Sequence, residues 1–164
     1  MRAKKDMKKI EIRKIQVEDL YVSPLAKRTV TNAEGWTRME EVEKKAPPTG
    51  SLVMDAVAEA LAEEPGLTTD KLAKALGTNS IVLNHIFKFL TGKLTRDFLM
   101  EYRLKRACEL LACTNLRLEE IAHRSGFPTQ AYLSKLFKEQ NQCTPREYRH
   151  LHRPKNYALL YEWE

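Results

Sequence analysis

One pattern occurs twice in this chain of 164 residues, and the repeat constrains the fold more than any other feature. Ala73 and Gly77 recur as Ala122 and Gly126 at an offset of 49; Leu83, Phe87 and Lys88 recur as Leu133, Phe137 and Lys138 at an offset of 50. The single extra residue falls between the two halves of the second copy. In that copy Leu118, Ile121 and Ala122 predict a short helix, Gly126 a sharp turn, and Phe127 an apolar cover for the turn. Thr129 is placed to cap a second helix, in which Tyr132, Leu133, Leu136 and Phe137 form the apolar stripe. An alanine four residues before the turn glycine lets the two helices cross closely, as a helix-turn-helix requires.

The first copy reads the same way. Val53, Ala56, Val57, Ala60 and Leu61 recur at helical spacing until Pro65-Gly66 stops them. Thr68 then caps a helix with Asp70 in its first turn, and Leu72, Ala73 and Leu76 lead to Gly77. A further helix is predicted over Ser80–Thr91, with Leu83, Ile86 and Phe87 facing inward and Gly92 ending it. Between the copies, Thr95 to Cys113 carries Phe98, Leu99, Tyr102, Ala107, Leu110 and Leu111 along one side. About 18 helical residues span roughly 27 Å, a connector able to hold two recognition helices about one DNA turn apart, roughly 34 Å. Thr144-Pro145-Arg146-Glu147 opens a last helix with a capping box and proline at its first position.

The flanks carry less information. Ile10, Ile12, Ile15 and Val17 suggest a short strand, Val30-Thr31 part of another, and Met39 to Lys45 a short helix. Ala46-Pro47-Pro48-Thr49-Gly50 reads as a linker. Residues 1–50 are therefore expected to be partly ordered at best, and too short for a sugar-binding barrel. The tail, 154–164, is apolar enough (Tyr157, Leu159, Leu160, Tyr161, Trp163) to pack on this chain or on a partner. Met1 to Lys9 is basic but precedes no apolar run, so no signal peptide is expected. No apolar run approaches the roughly 18 residues of a membrane span, and the cytoplasm is the expected compartment. Cys108, Cys113 and Cys143 lack paired spacing and read as reduced thiols, with neither metal nor cofactor implied. The net charge of +6 favours a polyanionic partner. Residues 1–50 hold 12 basic and 8 acidic groups, so the remainder is only mildly basic and must bind through charge placement.

The second copy resembles the second helix-turn-helix of the AraC/XylS family of bacterial transcription regulators. The resemblance rests on Ile121, Ala122, Gly126, Phe127, Leu133, Phe137, Lys138, Thr144, Pro145, Tyr148 and Arg149. It extends to a linker helix with Arg103, Leu104, Ala107, Leu110 and Leu111. It implies a mainly α fold of two helix-turn-helix subdomains joined by a long linker helix, with a short poorly defined N-terminal segment. The DNA-binding domain is expected over 51–153, with units at about 68–92 and 117–141 and the linker at about 95–113. One departure is Gln142, where the family usually has glycine; Asn141 is expected to take the left-handed position instead. Double-stranded DNA is the implied partner and RNA polymerase a further one; a chain with two readers need not dimerise to bind.

Base contacts require side chains that reach base edges from a helix in the groove. The candidates are Gln130, Ala131, Ser134 and Lys135 in the second unit, and Ser80, Ile81, Asn84 and His85 at the matching positions of the first. Gln130 and Asn84 suit adenine, Lys135 suits guanine, and Ala131 and Ile81 suit a thymine methyl. A solvated helix face is the competing reading of each. Phosphate candidates are Lys88, Arg96, Arg103, Arg106, Thr129, Lys138 and Arg149. Arg103 and Arg149 have a second reading as buried structural groups. The helix 80–91 is apolar, with Ile81, Val82, Ile86, Phe87 and Phe89, so it either reads DNA weakly or binds the N-terminal segment or another protein.

Two other functional classes compete with this reading. No phosphate loop, nucleophile elbow or zinc-protease motif occurs, and His150 and His152 on a basic helix read as surface residues; no enzyme is expected. A protein-interaction module that kept the fold without specific DNA binding is the alternative. Salt separates the two, because phosphate contacts weaken steeply with ionic strength.

Overall fold

The computed structural model describes residues 11–163. Among them the chain forms α1 (Val17–Leu20), β1 (Lys27–Thr31), β2 (Thr37–Glu41), α2 (Leu52–Glu63), α3 (Thr69–Ala75), α4 (Ser80–Thr91) and α5 (Thr95–Cys113). There follow α6 (Leu118–Arg124), α7 (Gln130–Asn141), α8 (Pro145–His152), α9 (Tyr157–Leu160) and β3 (Tyr161–Glu162). The architecture is mainly α, two helix-turn-helix units joined by α5. No described helix is long and apolar enough to cross a membrane.

The linker helix is built into two cores at once. Its Phe98, Leu99 and Tyr102 join Met54, Val57, Leu61, Leu72, Leu83 and Phe87 in the first unit. One turn on, Leu104, Ala107, Leu110 and Leu111 join Ile121, Phe127, Leu133 and Phe137 in the second. The single apolar side expected from the sequence is therefore incomplete, since buried positions cover more of this helix than one stripe. At about 1.5 Å per residue its 19 residues span roughly 28 Å.

Local chemistry sets the other boundaries. Ser51, Thr68, Asn79, Thr129 and Thr144 each accept a backbone N–H at a helix N-terminus. Gly92 ends α4 at φ +80°, and Gln142, not Asn141, takes the left-handed position after α7 at φ +57°. The Gln142 amide donates to Glu139 O at 2.9 Å, which helps a non-glycine hold that conformation. Tyr132 was expected in the buried stripe but is 41% exposed, its ring tilted against Phe127.

The N-terminal part differs from expectation. No strand forms over Ile12–Val17, and Ile10 lies outside the described residues, as does Met1 to Lys9. Val17 instead opens α1, whose Val17 and Leu20 are buried in the first core. The helix expected over Met39–Lys45 is replaced by β2, because Asn32-Ala33-Glu34-Gly35 forms a turn with Gly35 at φ +86° and folds the segment back on β1. Strand order is β2-β1-β3, antiparallel throughout, so the tail supplies the third strand of its own chain's sheet. Leu25, Val42 and Cys113 form the small core beneath it, with Tyr161 and Trp163 packed alongside.

Candidate nucleic-acid interface

The two second helices, α4 and α7, have corresponding positions on different chemistry. On α7, Gln130, Ala131 and Lys135 are exposed and Ser134 is half-buried, while Leu133 and Phe137 anchor the opposite face. Thr129 caps this helix, its hydroxyl accepting from the Tyr132 N–H at 3.1 Å, and stays exposed at the helix mouth. The second unit thus presents an amide, a methyl, a hydroxyl and an ammonium on one free face.

The first unit spends its polar groups internally. Ser80 donates to the Asp70 carboxylate. Asn84 Oδ1 accepts from the Thr95 N–H at 3.1 Å, capping α5, whose own N-cap residue Leu94 supplies no side-chain bond. This corrects the view of Asn84 as free for adenine. Ile81 (71% exposed), Val82 and His85 remain on the surface, an apolar face with one imidazole. At the other end of α4 the N-terminal segment crosses it. Ile15 donates its N–H to Leu90 O at 2.8 Å, and the Lys14 ammonium sits 5.3 Å from the Phe89 ring centre. Of the fates open to this apolar helix, contact with the N-terminal segment is realised at its C-terminal end.

The phosphate candidates divide by burial. Lys88, Arg96 and Lys138 are exposed; Lys88 Nζ bonds Gly92 O at 3.0 Å and Arg96 lies 3.9 Å from Asp97. Arg103 and Arg106 are buried: Arg103 takes the structural one of its two readings, and Arg106, expected only at a phosphate, is a correction. Arg103 donates to Pro65 O (3.1 Å) and Leu67 O (2.7 Å), and Arg106 to Val22 O (3.0 Å) and Arg124 O (3.2 and 3.3 Å). Burial pulls the Arg103 pKa below the usual guanidinium range. Arg149 is half-buried and donates to Leu116 O at 2.6 Å, the structural one of its two readings. Arg153, which the sequence did not single out, holds the carbonyls of Leu111 and Thr114 the same way.

Sequence reasoning also missed Arg117 and Arg146. Both are exposed, and together with Gln130 and Arg149 they line a cleft of about 310 Å³ beside the N-terminus of α7. Their signal was available: each opens a helix adjoining α7. Among the described residues no group of three or more His, Cys, Asp or Glu could hold a metal ion, and all three cysteines are free.

A helix-turn-helix domain family matches residues 72–150. The regulatory protein SoxS of Escherichia coli K12 is 31% identical over 84 residues, 51% of this chain and 78% of SoxS. The chain belongs to the AraC/XylS family. Two solved structures of the AraC type and its kin share the fold. One is a transcriptional regulator with an AraC-type DNA-binding domain from Chromobacterium violaceum, 28% identical over 62% of this chain and 91% of that one, TM-score 0.53. The other is the DNA-binding domain of the global transcriptional factor AdpA in complex with a target DNA, 26% identical over 63% of this chain and 95% of that one, TM-score 0.58. Against the first curated relatives the chain spans 21% of their length. The family match begins inside α3, takes in α4 to α7 and ends inside α8, so the hairpin and the third strand lie outside it.

Proposed function

We propose that this chain is a sequence-specific, double-stranded-DNA-binding transcription regulator, with residues 51–153 as its DNA-binding domain. The observation that carries the reading is the free face of α7, where Gln130, Ala131, Ser134 and Lys135 project from a capped helix flanked by Arg117, Arg146 and Lys138. The α7 unit reads bases by hydrogen bonds; α4, through Ile81 and His85, contributes mainly apolar contact to a second, more weakly specified segment. Exposed Lys88, Arg96 and Lys138 neutralise phosphates. The chain acts in the bacterial cytoplasm, where its DNA is; RNA polymerase is the partner the family suggests, and no catalysed step is part of the reading.

A randomised duplex pool tests it, with bound sequences recovered and affinity followed against salt. Two enriched blocks about ten base pairs apart are expected, the α7 block sharper. Lys135→Ala and Gln130→Ala relax that block alone. The apolar face of α4 favours one second reading, a protein-docking module; it is the better account if no sequence is enriched and salt leaves binding unchanged.

A further inference from the structure

The hairpin β1–β2 lies outside the family match and ends the sheet with β2, which has no strand on its outer side among the described residues. The register Arg28↔Glu40 and Val30↔Arg38, with Val42 N–H donating to Ala26 O and Asn32 N–H to Trp36 O, directs the backbone groups of even-numbered residues toward β1. Those of Thr37, Met39 and Glu41 therefore point away from the sheet. A bare edge of this kind is a template for another strand. Its side chains specify which one.

We propose that β2 pairs antiparallel with β2 of a second copy of this chain, with Met39 on the two-fold axis. Thr37 then faces Glu41 of the second copy and Met39 faces Met39, each pair exchanging both backbone bonds through groups that already point outward. Between them Arg38 falls directly opposite Glu40 of the second copy, in the pair type where side chains approach most closely. Within one chain Arg38 and Glu40 already bond along the strand at 2.5 Å, and Arg28 stands across the hairpin from Glu40. Pairing places each Glu40 between two arginines, its own Arg28 and Arg38 of the second copy. The neighbouring registers lack this complementarity, since an axis at residue 38 or 40 sets Arg38 on Arg38 or Glu40 on Glu40. The axis at Met39 also brings Trp36, 75% exposed at the hairpin tip, alongside Val42 of the second copy. One palindromic strand accounts for the free edge, the charge order and the exposed indole, as an isologous interface requires.

Light scattering of the full chain over a wide concentration range, without DNA, reads the proposal independently of the proposed function. The wild type is expected to dimerise. Arg38→Glu and Glu40→Arg each set like charges in register and are expected to be monomers alone, yet to form a heterodimer when mixed, because each supplies the charges the other lacks. Glu40→Arg also sets like charges across the hairpin, so Met39→Pro serves as a second variant; its missing N–H points away from β1, leaving the hairpin ladder whole while the dimer is lost. Circular dichroism checks that helix content is retained. A wild type that stays monomeric at every concentration overturns the proposal, as does a dimer that Arg38→Glu and Met39→Pro leave intact.

Discussion

Gly66 and Gly126 meet backbone to backbone: a Cβ on Gly126 would stand 2.5 Å from the Gly66 nitrogen and from the carbonyl carbon and oxygen of Pro65. The α2–α3 turn of the first unit thus rests on the helix-turn-helix turn of the second. Arg103, reaching from α5 to Pro65 O and Leu67 O, ties down the same turn. The angle between the two helix-turn-helix units depends on this contact as well as on the length of α5.

Gly77, the repeat partner of Gly126, makes the control. Both have positive φ, +69° and +85°, but nothing lies within 4 Å of a Cβ on Gly77. Gly77→Ala should cost about 1–2 kcal/mol, the left-handed penalty alone. Gly126→Ala adds overpacking against backbone, typically another ~1–3 kcal/mol. Urea unfolding of both variants measures the difference; equal losses would mean the inter-unit contact carries no stability.

Gln142 occupies the position that Gly92 holds in the first unit. Relieving its left-handed strain by Gln142→Gly should stabilise the chain by about 1 kcal/mol, less the contribution of its amide bond to Glu139 O. A lowered melting temperature would show that this amide bond outweighs the strain.

The elements that repeat were legible because each carries its own start and stop chemistry. Thr68, Thr129 and Thr144 cap, Gly77, Gly92 and Gly126 turn, and the apolar spacing between them fits one period. The hairpin was legible only in part: Val30-Thr31 does fall in β1, but β2 is made of Thr37-Arg38-Met39-Glu40-Glu41, whose charged residues hide a strand, and β3 pairs from more than about 130 residues away. The candidate site was half legible. Lys135 and Gln130 stand on the free face of their helix, whereas Arg103, Arg106 and Asn84 look equally available in sequence. Their true partners are backbone carbonyls and an N–H brought close only by tertiary packing.

Asn84 and Lys135 should therefore separate in experiment. Asn84→Ala removes the side-chain cap of α5 and should lower stability by about 1 kcal/mol. Lys135→Ala touches an exposed side chain and should stay within about 0.5 kcal/mol of wild type while relaxing DNA specificity. Thermal melts set beside the selected-sequence profile test the pair. A base-specific defect in Asn84→Ala with unchanged melting would return that residue to the readers.

The capping box of α8 predicts an acid limb. The Thr144 N–H, 2.7 Å from Glu147 Oε2, holds that carboxyl below its ordinary range, helped by the Thr144 hydroxyl. A depressed folded-state pKa contributes stability above the unfolded value, near 4.3, and loses it as pH falls through the folded one. Melting temperature measured from neutral to acid pH should fall less steeply in Glu147→Gln than in the wild type. Identical curves would mean that the box is not populated in solution.

Salt dependence distinguishes the buried arginine from the exposed lysine. Each phosphate contact contributes about −0.9 to the slope of log affinity against log salt. Lys138→Ala, at the surface, should shallow the slope by roughly that amount and leave unfolding unchanged. Arg103→Met should do the reverse, since it strands the carbonyls of Pro65 and Leu67 without partners, at roughly 1–3 kcal/mol of stability, yet removes no charge that faces solvent. A shallower slope in Arg103→Met, with stability intact, would mean that its guanidinium leaves the inter-unit turn to meet a phosphate when DNA is bound.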